Sequence, residues 1–221
     1  MKLVLFDTET TGLPKTRDSA TRGPNNWPHI VSLAWIVMED EEVIRERYFV
    51  IKPEGWVIPA DSTAIHGITQ EHAINRGHSL RDVLKEFASE LPDVLVAHNM
   101  NFDYNVICNA FLWDLQLPIP SFKRLMCTME IGTTLCKFPS PYNSTKFRYP
   151  KLAELYEFIT GKKVNSKMVH NSLYDTKLLK EILFSSGYLR SFIGLPVKNV
   201  NIGNVCSKNN QTTLSIDLTG C

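Results

Sequence analysis

Two kinds of apolar pattern run along this chain. Residues 2–6 (KLVLF) form a short continuous run, as in a strand covered on both faces, and it stops at the polar string DTETTG. A buried strand thereby carries carboxylates to its end. Residues 30–38 and 43–51 are two proline-free extended segments around the acidic turn 39–42, which predicts a hairpin beside the first strand. Residues 94–97 (VLVA) repeat the short buried run. Elsewhere apolar residues recur every three or four positions, which predicts helices over 101–115, around 128–135, over 151–159 and over 172–184. Ser79 is placed to cap a helix running to about Glu90, with Asp82 completing a capping box and Leu80, Val83, Leu84 and Phe87 along one face. Strands first, then helices around short strands, predict a mixed α/β domain.

Two stretches carry neither period. Residues 14–29 (PKTRDSATRGPNNWPH) read as a long loop, a length at which loops are often functional. From about Leu195 the chain becomes polar and Asn-rich, so the expected division is a domain over 1–193 and a tail or edge hairpin over 194–221.

At 221 residues, 43% hydrophobic and 21% charged, the chain can bury one sizeable core and is short for two. Its formal net charge of +1 gives no overall attraction to a polyanion, so contact with nucleic acid needs local Lys and Arg clusters or bound metal. Cys108, Cys127, Cys136, Cys206 and Cys221 are odd in number and lack the CxxC spacing of a zinc site or redox pair. They read as reduced thiols of a cytosol-like compartment. No secretory pattern follows Met1 and no segment approaches the roughly 20 apolar residues of a membrane span, so the expected location is cytoplasmic, or nuclear or nucleoid, with no membrane partner.

Asp7 and Glu9 stand two apart at the end of the first strand, so their side chains leave one face while Thr8 points to the other. Paired carboxylates at the edge of an apolar core are unfavourable unless a cation or protons offset them; a solvated turn is the plain alternative. Mg²⁺ suits such a site because it prefers carboxylate oxygens and shares them with water and substrate phosphate. Asp103, in VLVAHNMNFD, is carried to the end of a second apolar strand, or serves as a helix N-terminal acid favoured by the dipole. His170 and Asp175 lie in HNSLYDTKLL. Five helical steps would set them about 140° apart, so His170 belongs to the loop before the helix bearing Asp175, with Asn171 or Ser172 as cap. A loop histidine is either an ordinary surface residue or, with the usual imidazole pKa of about 6.5, a base suited to neutral pH.

Taken together, FDTETTGL, AHNMNFD and HNSLYD resemble, in order and spacing, the three motifs of the DEDDh branch of the DnaQ-like 3′–5′ exonuclease superfamily, over roughly residues 3–184. The DxETTG form is similar to that of the proofreading epsilon subunits of bacterial DNA polymerase III and their stand-alone relatives. The tyrosine branch places Tyr four residues before the last Asp, where this chain has Asn171, and His170 occupies the fifth position. The resemblance implies an RNase H-like fold, a mixed five-stranded central sheet flanked by helices with the acidic site at one edge of the sheet. It implies two Mg²⁺ ions, replaceable by Mn²⁺, on Asp7, Glu9, Asp103 and Asp175. Asp7 would bridge both, Glu9 and Asp175 would complete the ion carrying the attacking water, and Asp103 would orient the second. His170 would take the proton from that water, and the products would be nucleoside 5′-monophosphates.

The resemblance further implies substrate contacts by Thr10, Thr11, Gly12 and Leu13, by His66 and Ile68 in IHGIT, and by Asn99 and Phe102, although Phe102 equally reads as a core ring. Upstream phosphates have candidates in 145–151 (TKFRYPK) and in Lys162, Lys163 and Lys167, which scattered surface lysines explain as well. The 14–29 loop, with Lys15, Arg17, Arg22, Asn26 and Trp27, reads as a clamp on single-stranded substrate. Expected partners are single-stranded DNA 3′ ends, with RNA possible, and a DNA polymerase or other replication or repair protein. The competing readings are an exoribonuclease of the same superfamily and a non-catalytic polymerase-associated subunit; the intact acids oppose the second.

Overall fold

Strand β1 spans Lys2–Thr10 and so runs on through the polar string at which the apolar run stops. Its continuation comes from pairing: Asp7, Thr8 and Glu9 stay in antiparallel register with Ala34, Leu33 and Ser32 of β2 (Ile30–Glu39), and a bulge follows between Glu9 and Thr10. β2 turns into β3 (Glu42–Val50), also antiparallel, which gives the expected hairpin. β4 (Val94–Ala97) and β5 (Leu125–Cys127) add in parallel on the other side of β1. The result is a mixed five-stranded sheet in the order β3-β2-β1-β4-β5, the expected class. The computed structural model describes residues 1–196.

The helices are α1 (Ala60–His66), α2 (Gln70–Arg76), α3 (Leu80–Ser89), α4 (Met100–Asn109), α5 (Thr128–Cys136), α6 (Leu152–Thr160), α7 (Ser172–Ser185) and α8 (Gly187–Phe192). α4 runs directly into a π-helical turn, Ala110–Asp114. β1 sorts its side chains by its period of two. Val4 and Phe6 join Trp35, Leu84, Phe87, Val106 and Ile107 on the face that α3 and α4 cover. Leu3 and Leu5 join Leu155, Leu178, Leu179 and Ile182 on the face that α6 and α7 cover. Each such fully buried side chain contributes about 1.5–3 kcal/mol of transfer free energy, so the sheet is fixed from both sides.

Three expectations change. Ser79 stands before α3 but its side chain makes no capping bond, so the box with Asp82 does not form; burial of Leu80, Val83, Leu84 and Phe87 holds the helix instead. α1, α8 and β5 were not foreseen from the pattern, whereas IHGIT read as a turn with a helix cap at Thr69, and Thr69 does cap α2 by accepting from the His72 N–H. Leu195 still packs on the α7–α8 cluster and Arg190 Nε donates to Pro196 O, while the rest of the expected tail, with Cys206 and Cys221, lies outside the described residues. Cys108, Cys127 and Cys136 are free thiols, and no helix among the described residues is long and apolar enough to cross a membrane.

Candidate active site

The period that sorts Leu3 and Leu5 to the α7 side carries Asp7 and Glu9 there too. They meet Asp175: one oxygen from each of the three lies within 4.8 Å of the others. Thr8 faces the α4 side, where its backbone N–H and hydroxyl both donate to Asp103 Oδ1, at 3.0 and 2.7 Å. Four carboxylates thus converge at one end of β1, three in a cluster and the fourth held beside it.

Each helix that brings an aspartate starts from a left-handed turn. Asn99 (φ 68°) turns the chain from β4 into α4 and leaves Asp103 in the first turn. His170 (φ 66°) precedes Asn171, whose side chain caps α7 by accepting from the Tyr174 N–H at 3.1 Å, which leaves Asp175 in that helix's first turn. His170 therefore sits outside the helix, exposed, with its ring on the cleft and its backbone N–H donating to Asp175 Oδ2 at 3.1 Å. Beneath this turn Ser172 Oγ lies 2.9 Å from Ser32 Oγ, which ties α7 to β2.

Asp103, Asp175 and Glu9 are only 3, 7 and 8% exposed. Burial, and then the neighbouring carboxylates, drive Glu9 up to about 8 and Asp7 well above the usual carboxylate range. Burial also raises Asp103 to about 7, against the pull of the Thr8 donors, and Asp175 to about 6, against that of the His170 N–H. Asp175 Oδ1 is buried with no hydrogen-bond partner among the described residues. A buried acceptor of this kind, ringed by acids that repel one another, fits a hard divalent cation, which would supply the missing partner and offset the charge. Asp7, Glu9 and Asp175 form a group able to hold a metal ion.

The four acids and His170 line one cleft of 390 Å³ together with Thr10, Gly12, Leu13, His66, Asn99 and Phe102. Phe102 also packs on Trp27, ring centroids 5.9 Å apart, so one ring serves both wall and core. Thr11 and Ile68 fall outside the lining. Thr11 turns to His29, donating its N–H to His29 O and accepting the His29 N–H on Oγ1. Ile68 is buried beside Val31, Val50 and Ile58, and its N–H donates to His66 Nδ1 at 3.1 Å. That bond leaves the proton of a neutral His66 on Nε2, and burial pushes the imidazole down. Of the basic candidates, Arg148 is held bidentately by Glu154, Lys162 pairs with Glu181 and Lys163 with Glu157.

His98 escaped the sequence reading. Its Nε2 lies 3.1 Å from Pro150 O and its Nδ1 3.1 Å from Thr128 Oγ1, so it fastens the segment before α6 to the wall of the cleft. Burial pulls it down to about 4, so it stays neutral. The histidine was visible in AHNMNFD, but its partners lie 30 and 52 residues away.

Known proteins resemble this chain in sequence and in fold. DNA polymerase III PolC-type of Thermotoga petrophila is 35% identical over 105 residues, 47% of this chain, and the chain spans only 7% of that protein's length. DNA polymerase III subunit epsilon of Buchnera aphidicola is 25% identical over 192 residues, covering 84% of this chain and 75% of the relative. Among solved structures, Exonuclease X in complex with 5′ overhanging duplex DNA superposes with a TM-score of 0.54 at 24% identity, over 84% of this chain and 93% of that one. E. coli Exonuclease I in complex with a dA16 oligonucleotide gives 0.63 at 15% identity, over 87% and 43%. These two likenesses show the fold. The family model for the RNase_T exonucleases matches residues 4–183, from within β1 to within α7, and so takes in every carboxylate of the cleft; the chain belongs to that family, in the DnaQ-like superfamily.

Proposed function

We propose that the chain is a divalent-metal-dependent 3′–5′ exonuclease of the DEDDh type, releasing nucleoside 5′-monophosphates from single-stranded or frayed DNA. The observation that carries this reading is Asp175 Oδ1, buried without a hydrogen-bond partner among the described residues, inside a cluster of three acids with a fourth on the same cleft. Asp7, Glu9 and Asp175 would hold one Mg²⁺ or Mn²⁺, and Asp7 with Asp103 a second. Such ions supply Lewis-acid stabilisation of the charge that builds on the phosphate during in-line displacement.

The chain's own groups do the rest. His170 presents an exposed ring to the cleft and takes the proton of the attacking water to solvent. The Thr8 donors fix Asp103 through Oδ1 and leave Oδ2 for the site. His66 lines the cleft with its proton on a buried Nε2, and Phe102 and Leu13 offer apolar contact to the base of the terminal nucleotide. The relative named as a DNA polymerase III subunit and the fold neighbour solved with dA16 support DNA as substrate and a polymerase as partner.

The test is digestion of end-labelled single-stranded DNA, mismatched duplex and RNA with and without Mg²⁺ or Mn²⁺. Metal-dependent release of mononucleotides from the 3′ end is expected, fastest on single-stranded or mismatched DNA. Internal cuts, release from the 5′ end or activity without metal would overturn the mechanism; a preference for RNA would overturn the substrate.

A further inference from the structure

The loop between β1 and β2 is long but built. Backbone bonds close its base, from Thr11 N–H to His29 O and from Lys15 N–H to Asn26 O, both 3.0 Å. Its middle forms a 3₁₀ turn, Ala20–Arg22, in which Ala20 is fully buried. The Ala20 N–H donates to Asn105 Oδ1 on α4 at 2.9 Å, and Ala20 O accepts from Trp113 Nε1 at 2.7 Å. Trp27, 6% exposed, packs on Phe102 and donates Nε1 to Asp18 O, while His29 Nδ1 meets Asp114 Oδ2 at 3.1 Å.

Two of these anchors, Trp113 and Asp114, are consecutive residues of the π-helical turn, closed by Leu115 N–H to Ala110 O at 3.0 Å. The wider turn rotates its last side chains away from the α-helical path, and such turns recur at functional sites. Here it lets neighbouring side chains grip the middle and the end of one loop.

What the anchored loop shows to solvent is cationic. Lys15, Arg17 and Arg22 have no ion pair among the described residues, and the loop's single acid, Asp18, accepts from the Thr16 hydroxyl at 2.9 Å. Lys15 and Arg22 line an open hollow of 320 Å³ with Thr16, Asp18, Asn25 and Asn26. The hollow is separate from the acidic cleft but continuous with it along the chain: Leu13 is at the cleft, and Trp27 backs Phe102 in its wall. In a chain of net charge +1, such a local cluster is what a polyanion meets. Because the loop is already fixed, binding there would not have to order it.

We propose that this loop, locked to the π-helical turn of α4, is a phosphate rail on which Lys15, Arg17 and Arg22 hold the nucleic-acid backbone upstream of the 3′ end, away from the scissile bond. The inference rests on the exonuclease reading for its substrate. The rail acts only on strands long enough to reach it.

The test compares the wild type with Lys15→Ala/Arg17→Ala/Arg22→Ala, and with the anchor variant Trp113→Phe/Asp114→Asn, on a dinucleotide and on a 20-nucleotide single strand from 50 to 200 mM salt. The triple variant should raise KM for the long strand by about tenfold or more and flatten its log–log salt slope by ~2, from three lost contacts of ~0.7 each. Its kcat on the long strand and its kcat/KM on the dinucleotide should stay within about twofold. The anchor variant keeps the cations and should show a smaller rise in KM for the long strand alone. Equal losses on both substrates, or no change on either, overturn the rail. Should the wild type release nothing, the exonuclease reading has failed, and equilibrium binding of the labelled strand in Ca²⁺ decides the rail separately: unchanged affinity in the triple variant overturns it.

Discussion

α4 and α7 each deliver one aspartate to the same cleft, and the two arms are finished to different degrees. On α4, Asp103 is 3% exposed and its Oδ1 already has two donors, both from Thr8. On α7, Asp175 has one donor, the backbone N–H of His170, and an Oδ1 with none. That donor comes from a left-handed residue, a conformation that is uncommon outside glycine and is enriched in Asn, Asp and His. The protein alone fixes the first arm, whereas on the proposed reading a cation would complete the second. The cleft thus combines a rigid wall with an unfinished one.

The largest effect should follow from Asp7→Ala, since Asp7 feels Asp103, Glu9 and Asp175 at once. Nucleotide release should fall by about 10³-fold or more. The metal-free protein should melt higher than the wild type, because one of four repelling acids is gone; a lower Tm would break the view of the cluster as strained without metal. Next, His170→Asn, which tolerates the left-handed turn and keeps the backbone donor, should cost about 10²–10⁴-fold in single-turnover rate with Tm nearly unchanged. A large drop in Tm would show that the ring is structural.

A third effect is on stability against pH. The folded-state values are raised, to about 6 for Asp175, about 7 for Asp103 and about 8 for Glu9, above the ordinary carboxylate range near 4. The stability contributed by these protonated acids is complete below the unfolded pKa and is lost as pH rises through the folded values. The Tm of the metal-free protein should therefore fall between pH 5 and 8, and Mn²⁺ should raise it at pH 8 far more than at pH 5. Equal Mn²⁺ shifts at both would separate the metal from these acids. A smaller effect tests the finished arm: Thr8→Val removes only the 2.7 Å hydroxyl donor and should cost about 1–3 kcal/mol by denaturant titration. Asn171→Ala, the cap of the unfinished arm, should cost about 1 kcal/mol.

Legibility in the sequence tracked the range of the interactions. β2 and β3 announce themselves because long extended runs flank one acidic turn, and 94–97 because the whole of β4 is apolar. β5 has three residues, too few for any period. α1 and α2 are seven residues each and bury a single residue apiece, so nothing periodic marks them. Ser79 had the right spacing for a capping box, yet packing of the α3 face prevailed without it. In the cleft, the alternation of β1 foretold that Asp7 and Glu9 share a side. Sequence spacing did not reveal that Thr8 would hold Asp103, that Asp175 Oδ1 would lack a partner among the described residues, or that Thr11 would turn to His29. Thr8 and Asp103 are 95 residues apart and Thr11 and His29 are 18 apart, beyond the reach of any local period.

The bulge in β1 has a consequence for how the family can vary. A strand's chemistry here is written in parity: even positions of β1 face α4 and odd positions face α7, so one inserted or deleted residue within the strand would exchange Thr8 with its acidic neighbours and dismantle the cleft. The register slip lies immediately after Glu9, just past the last acid. The basic loop begins beyond it, so a change in that loop's length would leave the count within the strand undisturbed.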